Sequence, residues 1–145
     1  MIGTTLLVTH AASALILVGL IWTVQVVHYP LMAMVGDDRF VAYESAHAPR
    51  MAAVVMLPWT LQGLTTAWLL LARPAGVPTW SIAVAAVTAV LSVAVTVVWS
   101  VSAHARLGAE FDATIHHRLV RTNWIRTWAW TLHGANAVAM LVRAG

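Results

Sequence analysis

Residues 4–27 read TTLLVTHAASALILVGLIWTVQVV, a stretch without a single charged side chain. A helix crossing a hydrocarbon core about 30 Å thick needs roughly 20 mainly apolar residues, and this stretch supplies them. Hydrocarbon offers backbone amides no partner, so such a segment must satisfy its own as an α-helix. Three further stretches, 51–72, 78–102 and 119–142, have the same character. Alternating ten-residue strands of a barrel are absent from the sequence. The expectation is an all-α fold, a four-helix transmembrane bundle forming a single domain over 1–145.

Composition leads to the same place. The chain is 61% hydrophobic and 9% charged, where soluble domains carry roughly 25% charged residues, so the side chains that would coat a water-facing surface are missing. Eight Trp suit the membrane–water boundary. There is no Cys, which excludes disulfides, thiolate nucleophiles, iron–sulfur clusters and Cys-ligated zinc. The basic residues are all Arg and are scattered along the chain, leaving no dense patch for nucleic acid. No G-x-S-x-G elbow and no phosphate-binding glycine loop occurs, so nucleophilic hydrolysis and phosphate-loop chemistry have no support. The first stretch lacks the basic start of a signal peptide. It runs into HYPLMAMVGDDRF rather than a small-residue cleavage site, and reads as a retained span.

Helix breakers divide the spans. Pro30 closes the first and Pro49 precedes the second; Arg73-Pro74, Gly76 and Pro78 make a tight link to the third. Pro58 lies inside the second and predicts a kink near Trp59. The long connections, 28–50 and 103–118, fall on one side of the bundle. Asp37-Asp38 is expected to open a short interfacial helix in the first of them, aligning Phe40, Tyr43, Glu44 and His47 on one face. Arg39, Arg50, Arg106, Arg118 and Arg121 lie toward that side and only Arg73 and Arg143 toward the other. The positive-inside rule then puts the long connections in the cytoplasm and both termini outside.

Two constellations carry chemistry. On the fourth helix Asn123, Arg126, Trp130, His133 and Ala137 share a face at three-to-four spacing, with Asn136 at its edge. Polar groups at depth are costly unless paired or watered, so this stripe is expected to face the interior, with Arg126 and Asn123 stabilising an anionic substrate or intermediate. Interhelical packing and a snorkelling Arg126 are the structural alternative. His10 and His28 are five helical turns apart on the first helix, about 27 Å along the axis. Antiparallel packing brings His10 to the depth of His133, a pair suited to haem ligation or a proton relay.

The second constellation gathers His28, Glu44, His47, His104, Asp112, His116 and His117 at the cytoplasmic end. Glu44-x-x-His47 is the carboxylate–imidazole pair that di-iron bundles place on one helix face. Asp112 and His116 are a second pair, at i and i+4. His28, Glu44, His47, Asp112 and His116 are the candidate metal ligands, and oxygen with imidazole donors suits iron, zinc, manganese or copper(II). His117, about 100° from His116 on a helix, cannot point the same way. Tyr43 is a candidate proton or radical donor as well as an interfacial anchor. The alternative to a metal is a belt of histidines among lipid head groups.

The stretch LLVTH…LVGLIWTVQVVHYPLMAMVGDDRFVAYESAHAPRM, with FDATIHHRLVRTNWIRTWAW, resembles small uncharacterised four-helix membrane proteins of bacteria. More loosely, the first-span His and the Gly-Leu-Ile-Trp stretch resemble the membrane protoporphyrinogen oxidase and copper-resistance group. That resemblance implies a four-helix bundle binding haem or copper, with His10 matching the first-span histidine. The Lys and acidic residues associated with the oxidase have no counterpart here, so its specific activity is not implied. The bacterial cytoplasmic (inner) membrane is the expected location. The function expected from both constellations is a metal- or haem-dependent membrane oxidoreductase, using iron, copper, zinc or haem b. A non-enzymatic lipid-binding or accessory subunit and a small proton-coupled transporter are the alternatives. Membrane lipids, and a homo-oligomer or larger membrane complex, are the expected partners.

Overall fold

The computed structural model describes residues 2–144, all but the side chain of Ile2. Four helical rods account for nearly all of them. The first, α1, runs Ile2–Thr23, loosens into a π-helical turn at Val24–His28 and resumes over Tyr29–Met32. The second, α2, is Asp37–Leu71. The third, α3, runs Thr79–Val95, passes through a second π-helical turn at Thr96–Ser100 and ends with Val101–Leu107. The fourth, α4, is Ala113–Ala144.

Local chemistry sets the ends. Gly36 lies extended before α2, and Asp37 and Asp38 occupy its first turn, where carboxylates complement the helix dipole. Asp112 caps α4, its Oδ1 accepting from the Thr114 amide at 2.7 Å and the Ile115 amide at 3.1 Å. Gly76 turns between α2 and α3 at φ +80°. A Cβ there would lie 2.9 Å from the Arg143 carbonyl oxygen, so the turn also lets the link lie against the end of α4.

One expectation needs correcting here. Residues 37–47 do not form a separate interfacial helix; they are the opening turns of one continuous 35-residue helix. Pro49 and Pro58 both lie within it. A proline removes one backbone hydrogen bond, and here the helix continues on both sides of each.

The interior is built from α4 packed between α1 and α3, with α2 against α1 and, less extensively, α3. Ala11, Ala14 and Ala137 let α1 and α4 approach closely. A Cβ on Gly134 would come within 2.8 Å of Val18 Cγ2. Large apolar side chains point outward instead: Leu57, Leu64, Val87, Val90, Val97 and Val142 are all exposed. That inversion suits a hydrocarbon solvent. Three helices, Gly3–Met32, Asp37–Leu71 and Thr79–Leu107, are long and apolar enough to cross a membrane. The fourth expected span, 119–142, lies in a helix of sufficient length, 32 residues, that falls outside this group. Its polar residues are the reason, and they are turned inward: Asn123, Thr127, His133 and Asn136 are buried.

Candidate functional site

Glu44, His47 and His104 form the one group among the described residues whose carboxylate and imidazole donor atoms gather as a metal site would, all within 4.8 Å of one another. Glu44 and His47 come from the first turns of α2, three residues apart, and His104 from the last turns of α3. Glu44 is buried. Its Oε1 accepts a hydrogen bond from His104 Nδ1 at 2.7 Å, while its Oε2 is buried without a partner. His104 Nε2 lies 3.3 Å from the hydroxyl of the buried Tyr29.

His28 stacks on His47, ring centroids 4.3 Å apart. Its Nδ1 lies 3.5 Å from the Tyr43 hydroxyl, and its Nε2 is buried and unpartnered. His28 and Tyr43 thus stand beside the three-residue group. Asp112 and His116 are elsewhere. The Asp112 carboxylate is engaged as the α4 cap, and His116 Nε2 donates to the Tyr29 carbonyl at 3.0 Å. Burial pushes the His116 imidazole below its usual range, opposed by that bond to the carbonyl and reinforced by His117 and His104.

The group opens onto a cavity of about 580 Å³ with walls from all four helices, a volume typical of small-molecule sites. Leu17, Ile21, Val55, Trp59 and Trp130 make its inner end apolar, while Tyr29, Glu44, His47 and His104 form its outer end. Arg126 and Ser100 stand on the wall between them. Arg126 Nη1 donates to Ser100 Oγ at 3.2 Å, and its Nε is buried without a partner. Both π-helical turns flank this space, through Val24 on α1 and through Thr96 and Ser100 on α3. Such turns re-aim a helix and recur at functional sites.

Asn123, one turn before Arg126, is occupied differently: its Nδ2 donates to Gln25 Oε1 at 2.7 Å, and Gln25 Nε2 donates to the Val120 carbonyl at 3.3 Å. It ties α4 to α1 and is absent from the cavity wall.

His10 and His133 lie in the opposite half of the bundle, both fully buried, ring centroids 5.0 Å apart. His133 Nε2 accepts from Gln62 Nε2 at 2.9 Å, and its Nδ1 lies 2.8 Å from Thr88 Oγ1. His10 Nδ1 lies 2.9 Å from Thr65 Oγ1. Rings this close leave no slot for a porphyrin between them, and both His133 nitrogens are already engaged.

The sequence places His104 in the cluster but not among the expected ligands, and leaves Tyr29 and Ser100 out altogether. The available signal for His104 was its place among the histidines of the long-connection end. Nothing at three or four residues' distance on its own helix marks it as a ligand. Comparison with models of known families, with curated proteins and with solved structures finds no match for this chain.

Proposed function

We propose that this protein is a metal-dependent membrane oxidoreductase. Its centre is Glu44, His47 and His104, and its substrate enters from the membrane. The observation that carries this is the convergence of two imidazoles and one carboxylate, with a free buried carboxylate oxygen, at the polar end of an apolar cavity. Two histidines and one carboxylate leave coordination positions open, the donor set of non-haem iron(II) and of catalytic zinc. Iron supplies redox chemistry directly, and it is the assignment favoured here. In this reading Glu44, His47 and His104 would hold the ion, His28 supports His47 through ring stacking, and Tyr43 and Tyr29 supply hydroxyls around the centre. The His10–His133 pair has no haem role in it, since its rings lie too close to admit a porphyrin and both His133 nitrogens are engaged.

The reading takes α4 as a fourth crossing, its polar stripe shielded by the other three helices. It keeps the long-connection end in the cytoplasm of a bacterial inner-membrane protein, on the arginine imbalance. Metal analysis and an absorption spectrum of protein purified in mild detergent test it. One iron per chain, lost in His104→Ala while the helical content is retained, is the expected result. Stoichiometric zinc would keep the site and replace redox by Lewis-acid chemistry. A folded preparation that neither contains nor takes up metal would sink the proposal.

A further inference from the structure

Arg126 lacks a counter-ion. The two ion pairs among the described residues are Arg39 with Asp38 and His104 with Glu44, so no carboxylate of a described residue lies within 4 Å of the Arg126 guanidinium. Its sole hydrogen bond goes to a neutral hydroxyl, Ser100 Oγ. Its Nε is buried and unpartnered. Arg126 nevertheless lines the cavity, and a guanidinium is the side chain best shaped to meet a carboxylate. A cation held in an apolar bundle without a counter-charge is costly unless something anionic meets it.

The surroundings say what shape the anion has. Beyond Arg126 the cavity continues along Leu17, Ile21, Val55, Trp59 and Trp130, with no acidic side chain in that part of the wall. At the rim, Ala48 and Ala52 on α2 and Ala105 on α3 line the space yet remain exposed. The way in therefore lies between α2 and α3, beside the long-connection end of the bundle. An anion without an apolar part would leave the inner wall uncovered, whereas one amphiphile meets the cation and covers that wall.

We infer that the cavity binds a single-chain amphiphile with a carboxylate head, of the fatty-acid class, its head on the Arg126 guanidinium beside Ser100 and its chain along the Leu17–Trp59–Trp130 end. One chain suits a cavity of about 580 Å³. The site stands on Arg126 and the apolar wall and does not depend on the metal reading. If both hold, the head group sits beside the metal centre and the amphiphile is its substrate class.

The test uses the whole protein in phosphatidylcholine nanodiscs and spin-labelled stearate, with the immobilised fraction read by electron paramagnetic resonance. Stearate is expected to bind at least tenfold more tightly than its methyl ester, and Arg126→Gln to erase that difference. Ala52→Phe, which keeps Arg126 and narrows the rim of the cavity, is expected to weaken stearate tenfold or more. This variant serves if Arg126→Gln does not fold. Equal binding of acid and ester, a preference that survives Arg126→Gln, or stearate binding unchanged by Ala52→Phe each overturns the inference. A single-chain phosphate amphiphile binding more tightly than stearate overturns the carboxylate assignment. The acid–ester ratio is expected to be the same with and without a chelator. Collapse on chelation would place the head on the metal instead of Arg126, so this inference and the metal reading fail separately.

Discussion

The two halves of the bundle spend polar residues in opposite ways. In the half around His133 they are used against one another. Gln62 donates to His133 and to Thr66, Thr88 meets the other His133 nitrogen, and Ser81 and Asn136 hold α3 to α4. There the His10 Nε2 is the single side-chain atom left buried without a partner. In the half around Glu44 the unpartnered atoms are Glu44 Oε2, His28 Nε2 and Arg126 Nε, together with Asn123 Oδ1 nearby. A cavity lies beside them. A histidine deep in a membrane bundle is therefore not by itself a sign of chemistry. The difference lies in whether its valences are closed by the protein or left without a partner.

The comparison predicts different losses on each side. His133→Ala strips partners from Gln62 and Thr88 and opens a hole in a fully buried position. It should destabilise the bundle by about 3 kcal/mol, from unsatisfied groups and lost packing together. Its metal content should be unchanged. Unfolding equilibria in detergent, with metal analysis alongside, check both points; a stable His133→Ala that has lost its metal would break the division between halves.

His47→Ala belongs to the other side. Removing one of three ligands should lower metal affinity by about a hundredfold, in keeping with about 10- to 100-fold for the loss of a merely supporting residue. Because His47 lies beside a cavity and is partly exposed, its removal should cost about 1 kcal/mol or less of stability. Competition against a chelator of known affinity gives the first number. A variant that unfolds instead would show that the mouth is packed as tightly as the interior.

Ser81→Ala sharpens the closed half further. It removes the 2.5 Å bond to Asn136 Oδ1 but leaves Asn136 Nδ2 donating to the backbone carbonyl of residue 81. The expected cost is about 0.6 kcal/mol, the average for hydrogen bonds between membrane helices. Ser81 meets Asn136, one turn from His133, but shares no hydrogen-bond partner with His133, so the double variant with His133→Ala should show nearly additive losses. Strong coupling would mean that the closed network behaves as one unit.

How much of this was visible in the chain depends on how local the determinant is. Three apolar runs long enough to cross hydrocarbon were legible as composition, and the interior-facing stripe of α4 as spacing. The continuity of α2 was not. Pro49 reads as a breaker, but the helix before it is held by tertiary contacts: Phe40 is buried against Phe111 and Glu44 against His104. Glu44-x-x-His47 was legible because both residues share one helix face. Its third member was not, because His104 arrives from α3 and only the fold shows which imidazole meets the carboxylate. Asp112 and His116 illustrate the converse. Their spacing allowed a ligand pair, yet the Asp112 carboxylate caps its own helix and His116 answers a backbone carbonyl on α1.

His116 also gives the smallest and most specific prediction. Burial holds its imidazole below the ordinary value of 6.5, more than the bond to the Tyr29 carbonyl raises it. As pH falls through 6.5, the unfolded chain takes up a proton there before the folded one does. Stability contributed by the neutral ring is thus fully present above 6.5 and is lost progressively as pH drops toward the lower folded value. His116→Gln keeps an amide that can donate to the Tyr29 carbonyl and has no proton to gain. The melting temperature of the native chain between pH 7 and pH 5 should therefore fall more steeply than that of the variant, with the two curves meeting above pH 7. Curves that stay parallel would mean that His116 is solvated at this end of the bundle, and that the α1–α4 contact at the mouth is as open as the cavity beside it.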